Sequence, residues 1–336
     1  MSHPLFPGLC RLVLLAALVT GSGAAAALDT EGQAFVDDMV RKHGFVPAEL
    51  TALLDDAEFQ ESIIAAITRP AEAKPWYEYR AIMLTRERVD GGVEYWQRNY
   101  DTLRRAEAQY GVPPEVVTAI IGVETKYGRN TGRHRVLDAL YTLAFGYPRR
   151  AAFFRGELEQ FLVMARDEGF DARKVNGSYA GAMGKPQFMP SSFRAYAVDF
   201  DGDGRRDLWN SDADVIGSVA NYFARNGWRR GERVVAGVSG FEQRHGRFVT
   251  TDLKPVERAG ELTAAGLVIA GSPPADTSGN LFALQEEGGT SHWFGMSNFY
   301  AITRYNRSIL YAMAVHQLSG EIAAAMQERE ARGVAR

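Results

Sequence analysis

A single carboxylate, Glu124, ends the clearest apolar helix pattern of the chain. Val117, Ile120, Ile121 and Glu124 follow the spacing i, i+3, i+4 and i+7, which places them on one face of a helix. An acid at the end of such a stripe is buried or lines a cleft, and burial raises the pKa of a carboxyl. A raised pKa is what a general acid needs near neutral pH. On the pattern alone, a structural Glu that is paired with a nearby arginine or capped by the backbone is the commoner case.

Alternate aspartates in the segment DFDGDGRRD have the spacing of a calcium-binding loop. Asp199, Asp201 and Asp203 occupy positions 1, 3 and 5, where carboxylates converge on one hard cation. Gly204 at position 6 permits the sharp turn of such a loop, and Arg205 occupies position 7. We therefore predict a structural calcium ion and no organic cofactor, with an acidic surface turn as the alternative.

The closing ligand of this loop departs from the usual pattern. Position 12 is Asn210, where a bidentate Glu is expected. Asp214, at the start of the next apolar helix, would close the site if the loop were enlarged. Three roles stay open for Asp207 at position 9, namely a direct ligand, a water-mediated ligand or a helical residue.

Other chemistries have little support. The six histidines are scattered without metal-ligand spacing, there is no HExxH, and no glycine loop ends in Lys-Ser or Lys-Thr. The loop around Ser178 lacks the strand, elbow and helix context of a serine nucleophile. A formal net charge of −3 argues against a nucleic-acid partner.

The N-terminus has the composition of a secretory signal peptide. Arg11 precedes the apolar run Leu12–Val19, and small residues follow up to Ala27, where we predict cleavage. The run is too short to span a membrane. Cys10, the only cysteine, precedes the run, so we predict neither a lipid anchor nor a disulfide in the exported chain.

The elements that must position these residues are mostly helical, and the predicted class is mainly α (α+β). Strand-like runs separated by Gly and Pro occur only between Arg233 and Gln285, including Arg247–Thr251. One helix is predicted over Val93–Tyr110, upstream of the Glu124 helix. The predicted units are a signal peptide (1–27), an N-terminal helical domain (28–100), a catalytic core (101–230), a β-rich subdomain (231–296) and C-terminal helices (297–330).

Three further segments have compositions suited to a cleft. The stretch Asn176–Ser192 is poor in charge and rich in Gly, Ser, Met and Pro, which predicts a tight loop near a cleft. Arg149 and Arg150 precede a helix, where positive charge opposes the macrodipole, so an anionic partner or a solvated loop is expected. Aromatic residues also cluster around Trp76, in a pattern typical of core packing or of sugar binding.

Five segments together resemble one family, the lytic murein transglycosylases of the B type, relatives of goose-type lysozyme. The likeness runs from about Phe35 to Leu318, and Lys185, Pro186 and Tyr179 depart from the family pattern. The matching segments are AIIGVETKYG, GYPRRAAFF, GSYAGAMGKPQFMPSS, DFDGDGRRDLWN and NFYAITRYN.

This resemblance implies a lysozyme-like helical core, an elongated helical domain and a small β-rich subdomain. It implies that Glu124 is the catalytic acid and that peptidoglycan glycan strands are the substrate, with cell-wall synthesis or division proteins as further partners. A soluble periplasmic form is expected. The residues expected to line the glycan cleft are Tyr79, Arg149, Arg150, Ser178, Gln187, Phe188, Tyr222, Tyr305, Asn306 and Tyr311.

The resemblance also implies a reaction with one carboxylate where most glycosidases use two. Glu124 would protonate the oxygen that links N-acetylmuramic acid to N-acetylglucosamine, and the substrate's N-acetyl group would stabilise the developing cation. The ionised Glu124 would then accept the proton of the muramoyl C6 hydroxyl, which closes a 1,6-anhydro ring. Two alternatives are a lysozyme-type hydrolase with the same core and a non-catalytic, calcium-stabilised glycan-binding scaffold.

Overall fold

The computed structural model describes residues 30–69, 74–252 and 254–332, so the predicted signal peptide and Cys10 lie outside the described residues. Over these ranges the chain is mainly helical with one five-stranded sheet, which confirms the predicted fold class. The helices are α1 (Thr30–His43), α2 (Pro47–Asp55), α3 (Glu61–Thr68), α4 (Trp76–Met83), α5 (Arg86–Arg98), α6 (Tyr100–Tyr110), α7 (Pro114–Thr125), α8 (Val136–Gly146), α9 (Ala151–Glu168), α10 (Pro190–Tyr196), α11 (Asp212–Arg225), α12 (Ala259–Ala264), α13 (Ser297–Tyr305) and α14 (Ile309–Ala331).

The helix α7 is the centre of the large core. It begins with Pro114 in its first turn, where the missing N–H breaks no helical hydrogen bond. Its apolar residues are buried on nearly all sides because α14, α5, α6 and α11 pack around it. The first turn of α14 thereby lies beside the end of α7 that carries Glu124.

The strands form two antiparallel sheets. The small one pairs β1 (His134–Arg135) with β2 (Asn176–Gly177) beside the Asn176–Ser192 loop. The larger one has the order β4-β6-β7-β3-β5 and a small core of its own, which includes Leu262, Leu281 and Phe294. Its strands are β3 (Val235–Ser239), β4 (Glu257–Arg258), β5 (Val268–Ile269), β6 (Ser278–Glu286) and β7 (Gly289–Gly295).

The structure differs from the sequence prediction at three elements. The single helix predicted over Val93–Tyr110 is two helices, α5 and α6, which meet at Asn99. The run Arg247–Thr251 is not a strand, since a 3-10 helix occupies Gln243–Phe248 and only Val249 bridges to Leu281. Strand β7 was not predicted, because its sequence GTSHWFG lacks an alternating apolar pattern.

In the described ranges, none of the helices combines the length and the apolar composition that crossing a lipid bilayer requires.

Candidate active site

Glu124 lies in the last turn of α7 and is half-buried. Its Oε1 accepts a 2.5 Å hydrogen bond from the phenol of Tyr311, which lies in the first turn of α14. Burial raises the pKa of Glu124 to about 7, and the hydrogen bond from Tyr311 opposes this rise. A carboxyl with a pKa near 7 exchanges its proton readily at neutral pH.

Phenols surround Glu124. Burial, and then the charge of Glu124, raise the pKa values of Tyr79, Tyr305 and Tyr311, so all three are protonated at neutral pH. Among the described residues, no second carboxylate contributes to the pKa of Glu124. The site therefore has one acid and several neutral hydrogen-bond donors.

An aromatic cluster lies beside these phenols. The Phe188 ring is 5.7 Å from that of Tyr222 and 5.9 Å from that of Tyr305, and Tyr222 and Tyr305 are 4.8 Å apart. The Tyr222 hydroxyl donates to the carbonyl of Arg304 and the Tyr305 hydroxyl to that of Pro186, each over 2.6 Å. These contacts fix the aromatic faces, as a preformed sugar site requires.

The Asn176–Ser192 segment forms a tight loop, as predicted. Met183 makes isolated bridges to both Gly177 and Phe188. The Oγ of Ser178 accepts the amides of Ala180 and Ala182, at 3.3 and 3.0 Å, so this hydroxyl shapes the loop.

Gln187 lies on the same loop with a left-handed backbone (φ 52°). Its Nε2 donates to the carbonyls of Thr131 and Gly184. A left-handed non-glycine residue costs free energy and persists only when neighbours hold it, a feature concentrated at functional sites.

The C-terminus of α7 is shaped by Tyr127, which sequence reasoning missed. Lys126 and Tyr127 both have positive φ, 49° and 61°. The Tyr127 ring fills a space that glycines provide: a Cβ at Gly122 would lie 2.4 Å from its Oη, and one at Gly92 2.6 Å. Its hydroxyl donates to the carbonyl of Arg88 over 2.6 Å. Because the turn follows Glu124 directly, this packing fixes the end of the helix that carries the acid.

A second missed contact is the ion pair between Lys185 and Asp212, with 2.6 Å between Nζ and Oδ1. It joins the Asn176–Ser192 loop to the first turn of α11. The Lys185 carbonyl also accepts the hydroxyl of Thr125, the neighbour of Glu124, over 2.8 Å. Lys185 was noted in the sequence only as a departure from the family pattern, which gave no signal of a partner.

The other four predicted cleft residues are Tyr79, Arg149, Arg150 and Asn306. Tyr79 lies on α4, close enough for Glu124 to raise its pKa. Arg149 and Arg150 are exposed in the 3-10 turn Pro148–Arg150 before α9, and the Arg150 guanidinium lies 4.2 Å from the Phe153 ring. Asn306 is exposed where α13 ends. Within the described ranges, no side-chain hydrogen bond joins Asn306 or either arginine to the aromatic cluster.

The predicted metal loop brings three carboxylates together. Oxygens of Asp199, Asp201 and Asp203 all lie within 4.8 Å of one another, and the three residues are exposed. Two oxygens that each lie 2.3–2.6 Å from one ion can be up to about 5 Å apart, so this spacing fits calcium. Gly202 and Gly204 have φ of 82° and 88°, the sharp turns that glycine permits.

The structure does not bring Asp214, the predicted closing ligand, into this cluster of three carboxylates. Asp214 is buried, and its two oxygens accept the backbone amides of Phe200 and Asp207 at 2.6 and 2.8 Å. The amide of Arg205 donates to Asp203 over 2.8 Å. Asp214 therefore holds the ends of the loop together, and Asp207 accepts the amides of Trp209 and Asn210.

Comparison with known proteins gives consistent matches. The model of the Transglycosylase SLT domain family matches residues 27–320. Membrane-bound lytic murein transglycosylase B of Escherichia coli strain K12 is 44% identical over 313 residues, which cover 90% of this chain and 85% of that protein.

Solved structures extend these matches to the fold. The catenated lytic transglycosylase SltB1 from Pseudomonas aeruginosa is 48% identical, with a TM-score of 0.87 over 89% of this chain and 99% of its own. The Escherichia coli lytic transglycosylase Slt35 in complex with calcium is 44% identical, with a TM-score of 0.82 over 89% of this chain and 94% of its own.

Proposed function

Because the chain belongs to the Transglycosylase SLT domain family and is a peptidoglycan lytic transglycosylase, we propose that Glu124 acts in turn as acid and base. The bond cleaved is the β-1,4 link from N-acetylmuramic acid to N-acetylglucosamine, and the product carries a 1,6-anhydro-muramoyl end. The observation that supports this proposal is one carboxyl with a pKa of about 7 and no second carboxylate acting on it among the described residues.

In the first step, protonated Glu124 donates its proton to the glycosidic oxygen, and the bond from that oxygen to the muramoyl C1 breaks. The leaving N-acetylglucosamine keeps the bonding electrons, and its O4 becomes a neutral hydroxyl group. The acetamido oxygen of the substrate supplies electron density to C1. The pKa of Glu124 suits this step, because a carboxyl with a pKa of about 7 is present in both its protonated and its ionised form near neutral pH.

In the second step, Glu124 is a carboxylate and accepts the proton of the muramoyl C6 hydroxyl. The O6 atom bonds to C1, the acetamido oxygen no longer donates electron density to C1, and the anhydro ring closes. Glu124 recovers its proton and no water is consumed. The hydrogen bond from Tyr311 stabilises the carboxylate between the two steps.

The cleft residues named from the sequence are proposed to hold the glycan. Tyr305 is half-buried and offers a ring face against which the apolar face of a sugar would pack, and the buried Tyr222 supports it from 4.8 Å. Hydrogen bonds to backbone carbonyls fix both rings. Tyr79, Ser178, Gln187 and Asn306 would contact polar groups of the glycan. Arg149 and Arg150 are exposed, as groups that bind peptide or muramoyl carboxylates need to be.

The three-aspartate loop is proposed to hold calcium, with Asp199, Asp201 and Asp203 as carboxylate ligands. Arg205, at position 7, is proposed to complete the site, and Asp214 is proposed to hold the ends of the loop in place for it. The ion would offset the repulsion of three converging carboxylates and would stabilise the segment between α10 and α11, without a role in the reaction.

The proposed location is the periplasm, with the chain exported through its N-terminal segment. This proposal is supported by the pattern at residues 1–27 and by the location that peptidoglycan itself requires. The relative from Escherichia coli is named as membrane-bound, so fractionation of cells into soluble and membrane parts is the direct check.

The proposed role of Glu124 is tested with Glu124→Gln, which keeps an oxygen that can accept the hydrogen bond from Tyr311. We expect this variant to bind glycan strands and to release no soluble fragments from purified sacculi. Tyr311→Phe serves as the control, since it removes this hydrogen bond but leaves the acid in place. Turnover by Glu124→Gln would contradict the proposal.

A further inference from the structure

We propose that a cavity beside Trp209 binds an additional saccharide unit of the glycan strand, outside the cleft around Glu124. This inference rests on the proposed function, because the proposed ligand is the same glycan strand. The cavity has a volume of about 440 Å³. We call it the Trp209 cavity; its side chains include Phe170, Asp171, Lys174, Asn176, Trp209 and Asn210.

The chain segments that form the cavity lead into the loop that carries two of the cleft residues. Asn176 precedes the cleft residue Ser178 by two positions, which in extended chain is about 7 Å. Leu208 is the neighbour of Trp209, and its carbonyl accepts the amide of Lys185 over 2.8 Å; Lys185 precedes Gln187 by two positions. Both segments therefore lead within a few residues into the loop that carries Ser178 and Gln187.

Trp209 is already held in place by its neighbours. Its indole N–H donates to the carbonyl of Asn176 over 3.3 Å. The Phe170 ring meets it edge-on at 5.4 Å, and the Phe193 ring lies 6.2 Å away. Aromatic side chains fixed in this way bind the apolar face of a sugar without first losing conformational entropy.

Each charged side chain of the cavity already has a partner within it. Asp171 pairs with Lys174 at 3.2 Å, and Asp207 accepts the amides of Trp209 and Asn210 together with the side-chain N–H of Asn210. Within the described ranges, the side-chain amide of Asn176 has no hydrogen-bond partner. A neutral ligand rich in hydroxyl and acetamido groups suits this lining better than an anion or a cation.

The experiment is a binding series with oligomers of N-acetylglucosamine of increasing length, measured by calorimetry on Glu124→Gln so that no oligomer is cleaved. We expect affinity to rise with length until the oligomer reaches the Trp209 cavity. Adding Trp209→Ala or Asn176→Ala should lower the affinity for the longest oligomers about tenfold, which removes the last rise with length. The affinity for short oligomers should stay within about twofold of the parent value. Trp293→Ala, which changes a half-buried tryptophan of β7 outside the cavity, is the control and should alter neither.

Because Trp209 also packs against Phe170 and Phe193, Trp209→Ala could fail to fold. The second measurement is therefore the NMR signal of the Trp209 indole N–H in Glu124→Gln alone. We expect long oligomers to shift this signal and short ones to leave it in place. An unshifted signal, or an equal length dependence in Asn176→Ala and its parent, would overturn the inference but not the proposed function. Failure of every oligomer to bind would count against both.

Discussion

The phenol of Tyr311 donates a 2.5 Å hydrogen bond to Oε1 of Glu124, although 187 positions separate the two residues in the chain. The contact exists because α14 packs along α7, so that the start of one helix meets the end of the other. It acts on the ionised carboxyl and opposes the effect of burial, which keeps the pKa of Glu124 at about 7.

Tyr311→Phe should therefore raise the pKa of Glu124. The variant loses a hydrogen bond that stabilises the carboxylate, so the alkaline limb of kcat/KM should move to higher pH by roughly one unit. The measurement is the pH profile of glycan-strand cleavage by both proteins. Tyr222→Phe is the control, because its hydroxyl donates to the carbonyl of Arg304 and not to Glu124. An alkaline limb at the same pH in Tyr311→Phe and the parent would show that Glu124 is not the group that titrates.

Glu124→Gln should stabilise the protein at alkaline pH. The pKa of Glu124 is raised from 4.5 to about 7 on folding. Burying this carboxyl therefore costs no folding free energy below pH 4.5, and the cost reaches its full value above pH 7. The variant cannot ionise and should exceed the parent by up to about 3 kcal/mol in free energy of unfolding at pH 8. At pH 4 the two should be nearly equal.

Urea unfolding at the two pH values checks this difference. Glu94→Gln, an exposed position on α5, is the matched control and should leave the pH dependence unchanged. Equal stability of Glu124→Gln and the parent at both pH values would mean that the Glu124 carboxyl is not buried as the structure has it.

Removal of calcium should lower the melting temperature. A ligand present at 100 times its Kd stabilises the folded state by about 2.7 kcal/mol, which is several degrees for a chain of this size. Asp201→Asn should abolish the response to chelator, and Asp276→Asn, an exposed acid in the loop before β6, should retain it. A melting temperature that is independent of chelator in the parent protein would argue for a simple acidic turn.

Lys185→Met should disturb the catalytic centre without touching Glu124. Lys185 pairs with Asp212 at 2.6 Å, while its carbonyl and that of Pro186 accept the hydroxyls of Thr125 and Tyr305. We expect kcat to fall about tenfold, the effect of about 1.4 kcal/mol in the barrier. A double-mutant cycle with Asp212→Asn should give a coupling of about 1 kcal/mol in urea unfolding, and strict additivity would refute the link.

Local patterns in the sequence predicted the helical class, the Glu124 helix, the glycine-rich loop and the convergence of the three aspartates. Each of these depends on residues within about 20 positions of one another. The contacts that complete the site join distant segments: Tyr311 with Glu124, Lys185 with Asp212, and Tyr127 with Gly92. Such contacts follow from how the helices pack, which no local periodicity encodes. For the same reason the sequence could not show that both oxygens of Asp214 accept amides of the loop.

The central claim is that one carboxyl, acting as acid and then base, closes an anhydro ring without water. Mass spectrometry of the fragments released from purified peptidoglycan by the native protein tests it most directly, because the anhydro and the hydrolysed products differ by one water. Fragments that end in 1,6-anhydro-N-acetylmuramic acid are predicted, and they should be missing when Glu124→Gln is used. Fragments that end in reducing N-acetylmuramic acid would contradict the account and identify a hydrolase.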